Sequence, residues 1–534
     1  MKNNLRRLFA LVMVVVLAFC IVGCGGGDVS STGSDNPADV SSDSASDVSS
    51  DNTTSTGDTT TSSKPNSNNQ GTTSEEDTVV YEKPNAGNDS VMFNKQSSKY
   101  DSQADTLRKK IINAKDSGLK GTTVYYVSYK GNDFNDGLTP NTAWQTLAMA
   151  STVNENSIVL FERGGVYRGS LQVKSNCSYG AYGSGSKPCL YGSSQNYADT
   201  SLWKESKKRP GTWEISVNEK DVGQIVFDHG KQVATKVPVG ATEAKEYNYV
   251  LSGGKIYLYI SENPAKRHKD IEISGYNHVV YSKSTGAKNI YIENLCVKYG
   301  SRHGMSFSFT ENITVKNCEI GYIGGAGGSV PLGNGIEFWL DTKNVTVENC
   351  WVYQCFDAGL TNQGQRNDGK PNVQEGITFK NNLIEYCIYG IEYFAGQGTA
   401  GSTIKDTTYT GNIIRFSGMG WSKPGTRVGE TFSSSSVSAI NGWGTNLGVG
   451  KFPASNFVIE NNILDTSWKF LINVVEPNAD GRVTVRNNTY YQQKSDTASI
   501  WYDNSKQIVR AENLQQMIDE IKKIDLSPKA VELK

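Results

Sequence analysis

Seven segments of this chain can be written under one another: NIYIENLCV (289–297), NITVKNCEI (312–320), NVTVENCWV (344–352), GITFKNNLI (376–384), TTYTGNIIR (407–415), NFVIENNIL (456–464) and RVTVRNNTY (482–490). Each alternates apolar and polar residues, reaches Asn or Gly at a turn, and enters another short strand. The copies recur at 23 to 32 residues, apart from one interval of 50. A unit this short cannot bury its apolar face alone. Stacked copies can, each adding a strand to the same parallel sheets about 4.8 Å above the last. The repeat therefore predicts an all-β chain, a right-handed parallel β-helix (single-stranded solenoid) with inserted hairpins and short helices near the ends. Leucine-rich and propeller repeats would carry signature residues that are missing here. Cys318, Cys350, Asn382, Asn412, Asn462 and Asn488 occupy one turn column, predicted to form an inward ladder of asparagine hydrogen bonds.

The N-terminus obeys different rules. Lys2, Arg6 and Arg7 precede an apolar run from Leu8 to Val22, the pattern of an export signal over 1–23. Its ending, Ile21-Val22-Gly23-Cys24, resembles a bacterial lipobox, which implies cleavage before Cys24, a lipid on that sulfur and an extracytoplasmic, membrane-anchored protein. Residues 24–78 are rich in Ser, Thr, Asp, Gly and Asn and hold no aromatic side chain, so they read as a disordered tether. With 53 basic and 54 acidic side chains and no basic stripe, the chain is not expected to bind nucleic acid. The seven cysteines beyond Cys24 form no CxxC pair, so packing is their first reading rather than zinc.

The remaining boundaries are an N-terminal extension at 79–121, the β-helix at 122–510 with a hairpin insertion at about 200–275, and a C-terminal helix at 511–534. Within the extension, DSQADTLRKKIINAKDSG (101–118) has one apolar helical face and is predicted to cap the open N-terminal end of the core.

The stretch YYVSYKGNDFNDGLTPNTAWQTLAMA (125–150), followed by SIVLFERGGVYRGSL (157–171) and YGAYGSGSKPCLYG (179–192), resembles the opening of bacterial secreted β-helix proteins of the pectate-lyase-like, carbohydrate-active superfamily. With the coils, the similarity spans roughly 122–500. It implies the fold and a carbohydrate partner, but not one reaction, because the superfamily includes lyases, hydrolases, epimerases and adhesins.

Two frames, NGIEFW (334–339) and YGIEYF (389–394), each set a glutamate among apolar residues. In such a strand Ile336 and Phe338, like Ile391 and Tyr393, face the core, so Glu337 and Glu392 face outward. They fall two coils apart, about 9.6 Å between Cα positions, with Leu360 expected in the column between them and Ser422 near it above. That spacing lies near the upper end of the range of inverting glycosidases, about 6.5 to 9.5 Å between carboxyls. Asp357 lies on the intervening coil, and the three acids form a candidate acid, base and orienting set; Asp357 fits a backbone-satisfying turn residue equally well.

Loops at 324–332, 364–372, 396–403 and 423–455 are expected to build cleft walls. Candidate substrate-binding residues are Arg302, His303, Trp339, Asn362, Gln363, Trp421 and Arg427, with Trp443 on the longest loop. The expected function is hydrolysis of glycosidic bonds in a plant or host polysaccharide by a monomer that needs no cofactor. A polysaccharide lyase is the alternative, with Ca²⁺ held by carboxylates and Arg302 or Arg427 as base. A non-catalytic glycan-binding surface protein is the third reading.

Overall fold

The computed structural model describes residues 93, 95–240, 245–327, 332–364, 368–395, 401–422, 434–441, 454–474, 482–493, 500–503 and 508–534. The chain divides into two units, residues 1–69 and 70–534. The predicted export signal, Cys24 and the predicted tether lie outside the described residues. Among the described residues no helix is long and apolar enough to cross a membrane.

Three ten-stranded sheets organise the second unit. Each repeat supplies one strand to each sheet: Glu311–Lys316, Glu319–Ile323 and Ile336–Trp339 in one coil, then Lys343–Glu348, Trp351–Cys355 and Ala358–Gly364 in the next. Pairing between these coils is parallel and in register, Ile313 beside Val345 beside Ile377. The alternate apolar residues of the repeat, Ile313, Val315, Val345, Val347, Ile377 and Phe379, are fully buried between the sheets. The chain is thus a parallel β-helix.

The turn column forms the predicted ladder. Asn382 Nδ2 donates to Asn412 Oδ1 at 2.9 Å, Asn412 to Asn462 at 2.9 Å and Asn462 to Asn488 at 3.0 Å. Each of those acceptor oxygens also receives the backbone N–H of the coil before it. The ladder is made possible by the residue in front of it. Asn317, Asn349, Asn381, Asn461 and Asn487 hold left-handed φ of 50° to 58°, a conformation Asn tolerates better than most side chains.

The ends depart from expectation. The helix Leu514–Ile524 closes the C-terminal end with Met517, Ile521 and Ile524 in the core, and Asp525 behind it accepts from Asn488 Nδ2 at 2.9 Å, finishing the ladder. The segment does not end as a helix: Ala530–Leu533 turns back as a further strand beside Thr489–Gln492.

The helix Asp101–Ile112 does not cap the N-terminal end. The segment from 95 to 121 runs along the outer flank of the second sheet and ends on the first, spanning the stack. Lys99 reaches Glu532 at 2.5 Å, Arg108 Glu385 at 2.7 Å, Lys110 Asn349 at 3.3 Å, Ser117 Glu293 at 2.9 Å and Lys120 Ser178 at 2.8 Å. Its apolar stripe, with buried Ala104 and Ile111, covers Trp351, Tyr353 and Leu383 on that flank. The N-terminal end of the core is filled instead by Trp144, Leu147, Ala150 and Val153.

The stretch 200–275 carries hairpins of its own. Strands Thr212–Ser216, Asn248–Ser252 and Lys255–Tyr259 pair antiparallel around a separate core that includes Trp203, Tyr249, Ile256 and Leu258. All seven described cysteines are buried free thiols, as a packing role requires.

Candidate active site

Four successive coils enter the third sheet through a glycine: Gly304, Gly335, Gly359 and Gly390. A Cβ on Gly335 would lie 2.5 Å from the Gly359 carbonyl oxygen, and one on Gly359 would lie 2.8 Å from that of Gly390. Stacking this tight excludes any larger residue, and it brings the four strands in at matched positions. Two residues on, Ser306, Glu337, Thr361 and Glu392 pair in register, followed by Ser438. The glutamates therefore share one outward column, two coils apart.

The residue between them is Thr361, not Leu360. Leu360 pairs with Ile336 and Ile391 and points into the core, because strand side chains alternate. Ser422 likewise gives way to Ser438 above; its hydroxyl instead donates to the Phe356 carbonyl at 2.7 Å.

Glu337 is only 6% exposed. Ser306 Oγ donates to its Oε2 at 3.0 Å and Asn334 Nδ2 to its Oε1 at 3.0 Å. His303 Nε2 stands 3.4 Å from Oε2. The Asn334 backbone N–H donates to His303 Nδ1 at 3.0 Å, which leaves the proton of the neutral imidazole on Nε2, toward Glu337. Burial holds His303 below the usual histidine range; Glu337 opposes that shift and Arg302 adds to it. The His278 ring stacks on His303 with centroids 5.1 Å apart. Asn334 also accepts the Ala358 N–H at 3.1 Å, tying the carboxylate to the next coil.

Glu392 is 7% exposed and accepts from Gln363 Nε2 at 2.7 Å. Thr361 is fully buried, yet its Oγ1 has no hydrogen-bond partner among the described residues. An orphaned hydroxyl between two buried carboxylates is costly unless something else meets it.

The other predicted residues separate into those near this face and those away from it. Trp339, half-buried, and Gln363 lie on the outward column beside the glutamates. Arg302 adjoins His303, its guanidinium 5.3 Å over the Tyr276 ring, and its Nε is buried without a partner among the described residues. Asp357 occupies the bend before Ala358–Gly364 on the intermediate coil, its backbone N–H donating to Gly333 O at 3.1 Å. It falls one position off the His303–Asn334–Ala358 row rather than within it.

Asn362 is removed from the set. It faces the core between Phe338 and Tyr393 and donates to Gln374 at 3.0 Å. Trp421 is removed as well: its ring packs on Phe356 and its Nε1 donates to Gln354 O at 2.8 Å, within the apolar cluster under the N-terminal segment. Arg427, Trp443 and most of the 423–455 loop lie outside the described residues. Residues not foreseen are Ser306, Asn334 as a glutamate partner, Thr361 and His278. Aligning the four strands on their glycines, GMS, GIE, GLT and GIE, would have found the first and third.

Fold and face together define a right-handed parallel β-helix bearing two buried carboxylates on one sheet column. Residues 260–423 match the family described as the right-handed beta helix region. No curated protein matches the sequence. Solved structures similar to the chain include XylC in complex with xylose (11% identity, TM-score 0.43, 70% of this chain and 69% of that one). A glycoside hydrolase is similar at 9% identity and TM-score 0.41, over 77% and 96% of the two chains. The pectate lyase Pel9A is similar at 13% identity and TM-score 0.33, over 71% and 70%.

Proposed function

We propose that the chain is a carbohydrate-active enzyme that hydrolyses glycosidic bonds with Glu337 and Glu392 as its acid–base pair. One observation carries the reading: two buried glutamates, two coils apart on a single column, flank a hydroxyl that has no partner among the described residues. Donors from Ser306 and Asn334, with His303 behind them, converge on Glu337 and suit it to act as base toward a water. Glu392, oriented by Gln363, is then the acid that protonates the leaving oxygen. A Cα separation of about two coil rises, 9.6 Å, leaves room for that water and implies inversion at the anomeric carbon. We further propose that lipid on Cys24 holds the enzyme outside the cytoplasm.

Arg302 favours a second reading. Its buried, unpartnered Nε next to His303 suits a base that removes the proton alpha to a uronate carboxyl. Calcium-dependent lysis would need several carboxylates around one cation, and among the described residues no three Asp, Glu, His or Cys side chains are placed to hold a metal ion together. A product assay on a panel of polysaccharides separates the readings. New reducing ends of inverted configuration support hydrolysis by the pair; an unsaturated product absorbing in the ultraviolet supports lysis; no product with retained binding supports a glycan binder.

A further inference from the structure

A polar cavity of about 480 Å³ lies where the insertion meets the solenoid, and none of its lining residues belongs to the glutamate face. Its wall is built on the turn Asp228-His229-Gly230. Asp228 and His229 have φ of 46° and 59°, two successive left-handed residues of which neither is glycine. Conformations of this kind cost about 1 to 3 kcal/mol each and persist only where the surroundings impose them. Here the surroundings do so with carboxylates. Asp228 accepts from His268 Nδ1 at 2.8 Å and from the Lys269 N–H at 2.9 Å. Asp270 accepts the His229 N–H at 3.2 Å, lies 3.1 Å from His229 Nδ1 and takes Asn196 Nδ2 at 3.1 Å.

This wiring determines what the cavity offers a ligand. Its third acid, Glu272, is gripped by Arg168 through two bonds of 2.9 Å. All three carboxylates are thereby occupied by protein donors. Two of the three lining basic chains are not: Lys231 and Lys269 are exposed and make no ion pair among the described residues, while Arg267 pairs with Glu246. His229 lines it with them, and the Asp270 hydrogen bond raises its pKa above the usual histidine value. Acids turned inward and cations turned outward make a receptor for an anion, and the volume falls in the range of small-molecule sites.

We infer that this cavity is an ancillary binding site for a carboxylated sugar, a uronate unit of an acidic polysaccharide, with Lys231, Lys269 and His229 receiving the carboxylate. The choice of a sugar rests on the proposed carbohydrate function; the choice of an anion rests on the cavity alone. Such a site would hold an acidic chain on the enzyme apart from the bond being cut.

Calorimetric titration of the full chain tests this with three probes: a uronate trisaccharide, its methyl ester and sodium sulfate. Both the unaltered protein and Glu337→Gln are titrated, so that loss of turnover is not mistaken for loss of this site. The trisaccharide is expected to bind at least tenfold more tightly than the ester or sulfate. Lys231→Ser with Lys269→Ser should weaken it at least tenfold, as should His229→Gln, while cleavage of a short neutral oligosaccharide stays unchanged. Equal binding of acid and ester, or an unaltered affinity in the double variant, overturns the site. Sulfate competing as well as the trisaccharide overturns the sugar assignment. None of these outcomes touches the glutamate pair, whose own failure would appear as full turnover in Glu337→Gln.

Discussion

Two clusters of buried charge lie on different sheets of this solenoid, and they are wired differently. On the flank of the second sheet, Glu385 meets Arg108 at 2.7 Å and Arg415 at 3.5 Å, and Arg415 also grips Asp465 at 3.0 Å and Asp101. Each of these carboxylates, of which Glu385 and Asp465 are buried, faces a guanidinium. On the third sheet, Glu337 is held by neutral donors, Ser306, Asn334 and a histidine whose charged form is disfavoured by burial, and the hydroxyl beside it is orphaned. A carboxylate neutralised by a fixed cation is committed to structure. One held by neutral groups next to an unanswered polar atom can still exchange a proton and still receive a ligand.

The largest effect should come from the third sheet and be seen in activity alone. Glu337→Gln and Glu392→Gln keep the side-chain size and the hydrogen-bond reach but remove proton transfer. Turnover on the cleaved polysaccharide should fall by about three orders of magnitude or more in each, with little change in substrate affinity. The urea unfolding midpoint should stay near that of the unaltered chain. Full activity in both variants would move the site off this face.

The flank predicts the reverse pattern. Arg415→Met leaves Glu385 and Asp465 buried without one of their cations, which should cost about 3 to 5 kcal/mol of stability. Turnover per folded molecule should be kept, because no flank residue approaches the glutamates. Comparing specific activity with folded fraction by circular dichroism checks this. A catalytic defect in fully folded Arg415→Met would erase the contrast between the clusters.

Next in size is the ladder at the turn between the first and second sheets. Asn462→Leu removes a donor to Asn488 and an acceptor for Asn412, at about 1 to 3 kcal/mol. An unchanged unfolding midpoint would show that the ladder contributes nothing.

How far these regions were legible differs for physical reasons. The coil, its sheets and the ladder follow from local periodicity, and the NC, NN and GN pairs carried enough information to assign every rung before Asp525. The glutamate column was legible for its ends and off by one at its centre, because Leu360 looks like the apolar partner of the isoleucines, which it is. Only the glycine stack at 304, 335, 359 and 390 reveals that Thr361 takes the outward place. Asn362 was misassigned for the same reason, since alternation sends it inward. The course of 95–121 was not legible, because an amphipathic helix covers an end or a flank with the same stripe. Its partners, Glu385 and Glu532, lie hundreds of residues away in sequence.

A smaller effect separates the clusters by pH. The pKa of His303 is lowered from 6.5 by burial, so in the folded chain it stays neutral where the unfolded chain takes up a proton. Its contribution to stability is therefore present above pH 6.5 and is lost as pH falls from there through the lower value of the folded chain. His303→Gln should flatten the decline of the melting temperature between pH 7 and pH 5. Removing the flank arginine should leave that slope in place, since guanidinium groups do not titrate there.

The smallest stability effect gives the sharpest comparison. Thr361→Val keeps the side-chain shape and removes only the hydroxyl. If that hydroxyl were part of a structural network like the flank, its loss would be destabilising, because partners would be left unpaired. In the free chain it has none, so its removal should be neutral or raise stability by up to about 1 kcal/mol, since an unanswered buried polar group is gone. With substrate the sign should reverse: kcat/KM should drop by about tenfold, because the column loses the polar group that stands between its two carboxylates. A Thr361→Val protein that is destabilised yet equally active would make this column an ordinary buried stack, with the two glutamates facing one another for packing alone.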